Sequence, residues 1–495
     1  MDDKVIIKSS SLNMYIHASK TTLRWTIHGN LLQPAKPLLL ALLLIILYSS
    51  SCFTIARRDL ILQLGPVFSN NMVLQRQQPI RIWGTGPAFE EIQISLGQLT
   101  RWTQIRSDGT WQVEFPCFEA GGPYSISIGP NQSNLVRDIM IGDLFFCSGQ
   151  SNMSLPMNRL TAPQGNIESV NDPLLRIFYP GSGWQQSSPS SVQNCSAIAY
   201  FFGKYLRNKL KIPIGLIVST SPGTPIRSWM NSKHLNYLPK NLKSILPNGY
   251  LDRTQIAPFC QLGLTAFLWY QGEADLENSS LYQQSFERLI SDWRERWSRG
   301  NIPVLFVQLP NMGKRFNHPV DSYWAQFREV QDKCKAIPNC FMAVTCDTAT
   351  ENVPPLHPKS GKNEVARRLA LLALQNIYRM PVFCSFPSPC GFKQNQFSFE
   401  IEYYGGPIIM HNLPASGFEL AGNDGIFHNA EVSSLEPNKI ILRAYAVTKP
   451  KFVRYAWSDN PHCSVYSVGG LPGLPFRTDK IPPREQFVEA QDYGR

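Results

Sequence analysis

Between residues 67 and 128 the chain alternates apolar and polar positions over short stretches: M-V-L-Q-R at 72–76, I-R-I-W at 80–83, I-Q-I-S-L at 92–96, W-Q-V-E-F at 111–115 and Y-S-I-S-I at 124–128. A period of two, with Asp108-Gly109 as a turn, predicts half-buried antiparallel strands and a small β-sandwich-like domain over 57–136. From 138 to 378 the texture changes. Apolar runs at 139–146, 214–219, 265–270, 303–308 and 340–346 are separated by longer stretches whose apolar positions recur at helical spacing, at 197–209, 280–297, 320–335 and 359–378. That alternation predicts an α/β domain with a parallel sheet over 137–379. Beyond 380 the short strand pattern returns, with F-S-F-E-I-E-Y at 397–403, P-I-I-M at 407–410, I-I-L-R-A-Y-A-V at 440–447 and F-V-R-Y-A-W at 452–457, so a second β-sandwich-like domain is expected over 380–480, followed by a polar tail at 481–495.

The most apolar run, L-L-L-A-L-L-L-I-I-L-Y at 38–48, is shorter than the ~20 residues of a membrane span and matches the hydrophobic part of a signal peptide. A leader over 1–56 and entry into the secretory pathway follow, to a secreted or lysosomal destination, with no stable membrane span. A signal anchor is the competing reading of the same run. The net charge of +11 includes Lys4, Lys8, Lys20, Arg24 and Lys36 of this leader. No basic run has the form of a nucleic-acid stripe. Of eleven cysteines, all but Cys52 lie beyond the leader. An even number in an oxidising compartment, without C-x-x-C pairs or Cys/His clusters of zinc spacing, predicts disulfides and no metal. Asn131, Asn194 and Asn278 begin glycosylation sequons, and Asn152 begins a fourth inside the candidate site, where it is expected to be bare.

Ligands of an open parallel sheet bind beyond the carboxyl ends of its strands. Ser151 follows the first strand in the turn C-S-G-Q-S-N-M at 147–153, Gly223 lies in the loop after the second, Gln271 and Glu273 follow the third, and the segment from Asp347 to His357 follows the last. A serine, a histidine base and hydrogen-bond donors for an oxyanion are the parts of a serine esterase. His357 is favoured over His318, which stands in a long polar loop. Asp347, Glu351 and Glu273 are the candidates for a carboxylate that orients the imidazole, and Glu273 and Asp143 also read as structural hydrogen-bonders.

Taken together with P-I-G-L-I-V-S at 213–219, G-T-P-I at 223–226, W-Y-Q-G-E at 269–273, H-P-K at 357–359, A-R-R-L-A at 366–370, R-Y-A-W at 454–457 and G-L-P-G-L-P-F-R-T-D at 470–479, the turn at 147–153 resembles the sialate O-acetylesterase family of SGNH-type carbohydrate esterases. The resemblance implies a flavodoxin-like hydrolase core with appended β domains. It also implies removal of O-acetyl groups from sialic acids, typically at the 9-position, on an O-acetylated sialic acid or sialoglycan substrate. Ser151 becomes the nucleophile, His357 the base, and the Ser151 and Gly223 N–H groups with the Gln271 side chain the oxyanion donors. No metal or cofactor is implied.

Two positions depart from the family pattern. Pro354 stands where many relatives have Asp three residues before the histidine, and Pro222 replaces the first of two glycines, so only Gly223 can supply that loop's donor. These departures keep open an esterase acting on other acetylated carbohydrates and a catalytically weak glycan-binding protein. Arg227 is a candidate contact for a sialate carboxylate.

Overall fold

The computed structural model describes residues 62–129, 134–161, 167, 170–236, 249–411 and 416–480, together with the backbone of three strands near the amino terminus. Those strands, Asp3–Ser9, Leu12–Ala18 and Leu23–His28, form an antiparallel meander in a unit of their own, 1–62. The run at 38–48, the tail and Asn131 lie outside the described residues. No helix among the described residues is long and apolar enough to cross a membrane.

The remaining chain is organised on strand β1, Asn134–Gly149. It is followed by β2 (Asp172–Tyr179), β3 (Gly183–Ser187), β4 (Ile214–Thr220), β5 (Ala266–Tyr270), β6 (Val304–Val307) and β7 (Cys340–Ala343). Across the sheet the order is β3-β2-β4-β1-β5-β6-β7, antiparallel at the β3 edge and parallel from β2 onward. Counting β1, β4, β5, β6 and β7 alone, the order is 2-1-3-4-5, that of a flavodoxin-like sheet, so the topological switch point falls at the carboxyl end of β1. All five apolar runs that the sequence offered as strands are in this sheet.

Alternate side chains of β1 face opposite layers, as a strand requires. Phe145 packs with Phe202 of helix α2 (Ala197–Leu210), in a core completed by Val365 and Leu369 of α5 (Lys362–Asn376). Phe146 faces the other way, against Trp293 and Trp297 of α3 (Ser279–Trp297). There Phe327 of α4 (Tyr323–Lys333) adds to the layer by its ring contact with Tyr282. Ser196 and Ser322 cap α2 and α4 by accepting from the N–H groups three residues on. A single turn of helix, α1 (Ser151–Ser154), follows β1 directly.

The amino-terminal half of β1 belongs to a different environment. It pairs antiparallel with Gly121–Ile128, which continues to Glu91–Leu96 and Leu99–Gln104. A separate small sheet of Gln63–Leu64, Ile80–Thr85 and Thr110–Phe115 completes this part. Asp143, where the two environments meet, accepts from Arg76, Gln75 and Tyr378. This is the structural role its position suggested.

The carboxyl-terminal β part differs from the sandwich expected. Seven antiparallel strands from Ser388–Gln394 to Phe476–Arg477 form one sheet around a core containing Phe399, Ile401, Leu420, Leu442 and Tyr455. The sheet curls so that Phe392 of the first strand meets Phe476 of the last, with ring centroids 5.6 Å apart, which makes it nearly a barrel. Alternation buries one face of each strand in either architecture, so it could not distinguish them.

The expected disulfides are also absent. All ten described cysteines are unpaired. Cys147, Cys195, Cys260, Cys334, Cys340 and Cys384 are buried as small apolar side chains, and Cys117 and Cys390 are exposed. The Sγ atoms of Cys346 and Cys463 come within 3.4 Å of each other without a bond.

Candidate active site

Gly149 ends β1 with φ +136°, and a Cβ there would lie 2.1 Å from the Tyr270 carbonyl oxygen. This close approach lets Gln150 N–H donate to the same oxygen at 3.0 Å while the Gln150 side-chain carbonyl accepts from Gly272 and Ala274 N–H. Ser151 is thereby fixed at the first position of α1, half-buried, at the carboxyl end of the central strand. Its N–H is among those a helix start leaves without an intrahelical acceptor.

The next residue, Asn152, is completely buried and forms the hub of the site. Its Nδ2 donates to the Glu273 carboxylate and, at 3.0 Å, to the Leu356 carbonyl, while its Oδ1 accepts from Lys362 Nζ at 2.6 Å. Since Leu356 immediately precedes His357, one hydrogen bond joins the serine turn to the histidine loop across 204 positions of sequence. Burial of Asn152 in this network also leaves its sequon inaccessible. Asn194, which begins another sequon, is exposed.

His357 is half-buried. Burial, and then the Lys362 charge, lower its pKa, so the imidazole stays neutral to lower pH than a free histidine. No hydrogen bond joins its ring to Ser151 or to any carboxylate among the described residues, and the three candidate orienting acids are engaged elsewhere. Asp347 takes a bidentate contact from Arg368, at 2.6 and 2.9 Å, and a hydrogen bond from Tyr466. Glu351 accepts from the N–H groups of Lys359 and Ser360 and from the Ser360 hydroxyl, closing the loop that carries His357. Although burial opposes it, those bonds hold Glu351 below the ordinary carboxylate range. Glu273 receives the Asn152 amide, its Oε2 is buried without a partner, and burial raises its pKa.

Gly223 adopts φ +69° in an exposed turn after β4, where a residue without a side chain is favoured. Gln271 is fully buried beneath it. Both amide hydrogens of Gln271 have acceptors, Asp275 Oδ2 at 2.6 Å and the Thr224 carbonyl at 3.3 Å. As arranged, this side chain ties down the loop next to Gly223 and does not point a free donor at the serine. Asp275 also accepts from Ile226 N–H, and burial raises its pKa to about 6. Arg227 is largely buried and faces Asp275 at 3.9 Å, so its charge is countered within the protein. His318 is exposed in its loop, with Nδ1 3.1 Å from the Pro319 carbonyl.

Sequence reasoning missed Lys362 altogether. It is 2 % exposed, stands 5.5 Å above the Tyr270 ring, and has its pKa lowered to about 8 by burial, with Glu273 and Glu351 opposing. A lysine in the first turn of a helix is disfavoured by the helix dipole, so no sequence rule places one there.

Residues 141–375 match the family model for carbohydrate esterase, sialic acid-specific acetylesterase. The human sialate O-acetylesterase is 29% identical over 362 residues, covering 61% of this chain and 68% of that protein. The rat sialate O-acetylesterase is 26% identical over an alignment covering 82% of this chain and 92% of its own. Among solved structures, a carbohydrate acetylesterase from Xanthomonas citri superposes with a TM-score of 0.78 at 30% identity, covering 85% of this chain and all of that one.

Proposed function

Because the chain belongs to the sialic acid-specific acetylesterase family of carbohydrate esterases and is an ester hydrolase, we propose that it removes O-acetyl groups from sialic acids by a serine mechanism of the SGNH type. The 9-position is the expected target. The observation that carries this reading is the Asn152–Leu356 hydrogen bond, which brings the segments of Ser151 and His357 side by side at the switch point of a parallel sheet.

In the proposed reaction His357 takes the Ser151 hydroxyl proton as Oγ attacks the acetyl carbonyl carbon. The tetrahedral oxyanion accepts from the N–H groups of Ser151 and Gly223, and its collapse expels the sugar oxygen, which takes the proton back from the imidazolium. Water, deprotonated by the same histidine, then releases acetate and regenerates the hydroxyl. Gln271 acts as a positioning residue for the Gly223 loop. With no carboxylate hydrogen-bonded to its ring, His357 works as the base of a dyad, kept neutral by its partial burial and by Lys362. The sequence reading of 38–48 as a signal peptide supports a secreted or lysosomal enzyme.

Hydrolysis of a chromogenic acetate ester by the wild type, and its loss by about 10³-fold or more in Ser151→Ala with unchanged thermal stability, is the expected result. Absence of turnover in the wild type alongside measurable sialoside binding would favour the catalytically weak glycan-binding reading. A second enzymatic reading, deacetylation of other carbohydrates, is favoured by the pairing of Arg227 with Asp275, which leaves no carboxylate-receiving role evident for that cation. Rates on 9-O-acetyl sialic acid and on acetylated xylose separate the two.

A further inference from the structure

The motifs R-Y-A-W at 454–457 and 470–479 take no part in the chemistry above, yet they are built into one feature. Arg454 forms a bidentate pair with Asp479 at 2.8 and 2.9 Å, and the Arg477 guanidinium lies 4.7 Å from the centroid of the Trp457 ring. Ala456 is held at φ +50°, a left-handed conformation that is uncommon for a residue with a side chain and that tends to mark functional segments. This backing shapes a cavity of about 330 Å³, in the range of small-ligand pockets, between the carboxyl-terminal β part and the loop bearing Phe316, Asn317 and His318. That loop is pinned from the far side by the Asn429 amide, which donates to the Asn317 carbonyl at 2.7 Å.

Three properties of the lining define what it can hold. Glu419 is 8 % exposed and lines the cavity, and its Oε2 is buried without a hydrogen-bond partner, whereas buried polar atoms are almost always satisfied. No lysine or arginine lines the cavity, whereas Glu431 does, so the lining offers an anionic ligand neither a guanidinium nor an ammonium group. Phe316, 41 % exposed, and the exposed His318 present rings at the mouth, where the apolar face of a pyranose can lie.

We propose that this cavity is a binding site for a neutral sugar, a hexose unit of a glycan. Its hydroxyls donate to Glu419 while its ring rests on Phe316. The inference rests on the glycan-esterase reading above, but it is tested by binding alone.

The probe is lactose, followed by ligand-observed saturation-transfer NMR with the full chain, and free N-acetylneuraminic acid is its anionic counterpart. Lactose is expected to bind, with Kd raised by about five- to tenfold in Glu419→Leu, Asn429→Ala and Phe316→Ala separately. Hydrolysis of a small chromogenic acetate is expected to change less than about twofold in the same variants, since Glu419, Asn429 and Phe316 lie outside the catalytic set. Should Glu419→Leu fail to fold, the two variants at exposed positions decide the matter. The proposal is overturned if the wild type shows no transfer to lactose, if the folded variants bind it as tightly as the wild type, or if N-acetylneuraminic acid binds equally well and is weakened by the same substitutions. Turnover of the acetate ester reports separately on the hydrolytic reading.

Discussion

Asn152 donates its side-chain amide to the carbonyl oxygen of Leu356 at 3.0 Å, and through that bond the residue after the proposed nucleophile fixes the residue before the proposed base. The same side chain is the partner of a buried carboxylate, Glu273, and a buried ammonium, Lys362. Asn152→Ala leaves both charges and the Leu356 carbonyl without their shared partner, at an expected cost of roughly 3 kcal/mol in urea unfolding. Turnover measured where the variant is still fully folded should fall by at least about tenfold, because the histidine loop loses its tether to the serine turn. Unfolding that shifts while turnover stays put would make the bond purely structural.

Lys362→Met removes the positive charge that, after burial, lowers the His357 pKa. The charged groups that face Lys362 in turn are Glu273 and Glu351. Removing the Lys362 charge favours the imidazolium, and the pKa of His357 must rise. The acidic limb of kcat/KM against pH is therefore expected to move to higher pH in the variant, with Lys362→Arg restoring the wild-type limb. A profile that only drops in height, without moving, would leave Lys362 with a packing role alone.

Asp347 is committed to Arg368 and Tyr466, and Asp347→Asn is expected to keep kcat/KM within about tenfold of the wild type, against the ~10⁴-fold loss typical of a lost orienting carboxylate. Removing the cation is the more damaging change. Arg368→Met leaves Asp347 nearly buried and unpaired and should cost about 3–5 kcal/mol in denaturant melts. A collapse of kcat in Asp347→Asn at undiminished stability would restore it as the orienting acid.

Burial raises the Glu419 pKa from 4.5 to about 8, with Arg454 opposing the shift. An acid whose pKa is higher folded than unfolded contributes its stability below the unfolded value, and that contribution drains away as pH rises toward the folded one. Glu419→Gln cannot titrate. Relative to the variant, the wild type should lose about 1–3 kcal/mol between pH 4.5 and pH 8, read as the difference between paired unfolding curves. Parallel pH dependence of the two proteins would mean that Glu419 ionises as freely folded as unfolded.

The central sheet was legible because a buried parallel strand writes itself as a continuous apolar run, as at 214–219 and 265–270. The hairpin of β2 and β3 was missed. D-P-L-L-R-I-F-Y carries a buried arginine, Arg176, whose guanidinium is satisfied by Asp138 and the Pro173 carbonyl, and G-W-Q-Q-S has no apolar period at all. Ser151 could be singled out because it stands just beyond a strand end, and His357 because it lies in the segment that follows the last strand. The Asn152–Glu273–Lys362 network could not, since its bonds span 121 and 210 positions and leave no periodic trace. Gln271 shows the remaining gap: its place in the chain marked it as a donor, but the acceptors it serves are set by Asp275 and Thr224, which only the folded loops bring within reach.

The strand Asn134–Gly149 begins among antiparallel neighbours and ends as the middle of a parallel sheet. Its peptide groups therefore cannot open at Ile139 without loosening the register at Phe146, a few residues short of the serine. The β segment ahead of the hydrolase fold is thus no detachable appendage. Amide hydrogens along the whole strand should exchange as one cooperative block, and a chain cut at about residue 137 would forfeit the alignment of Ser151.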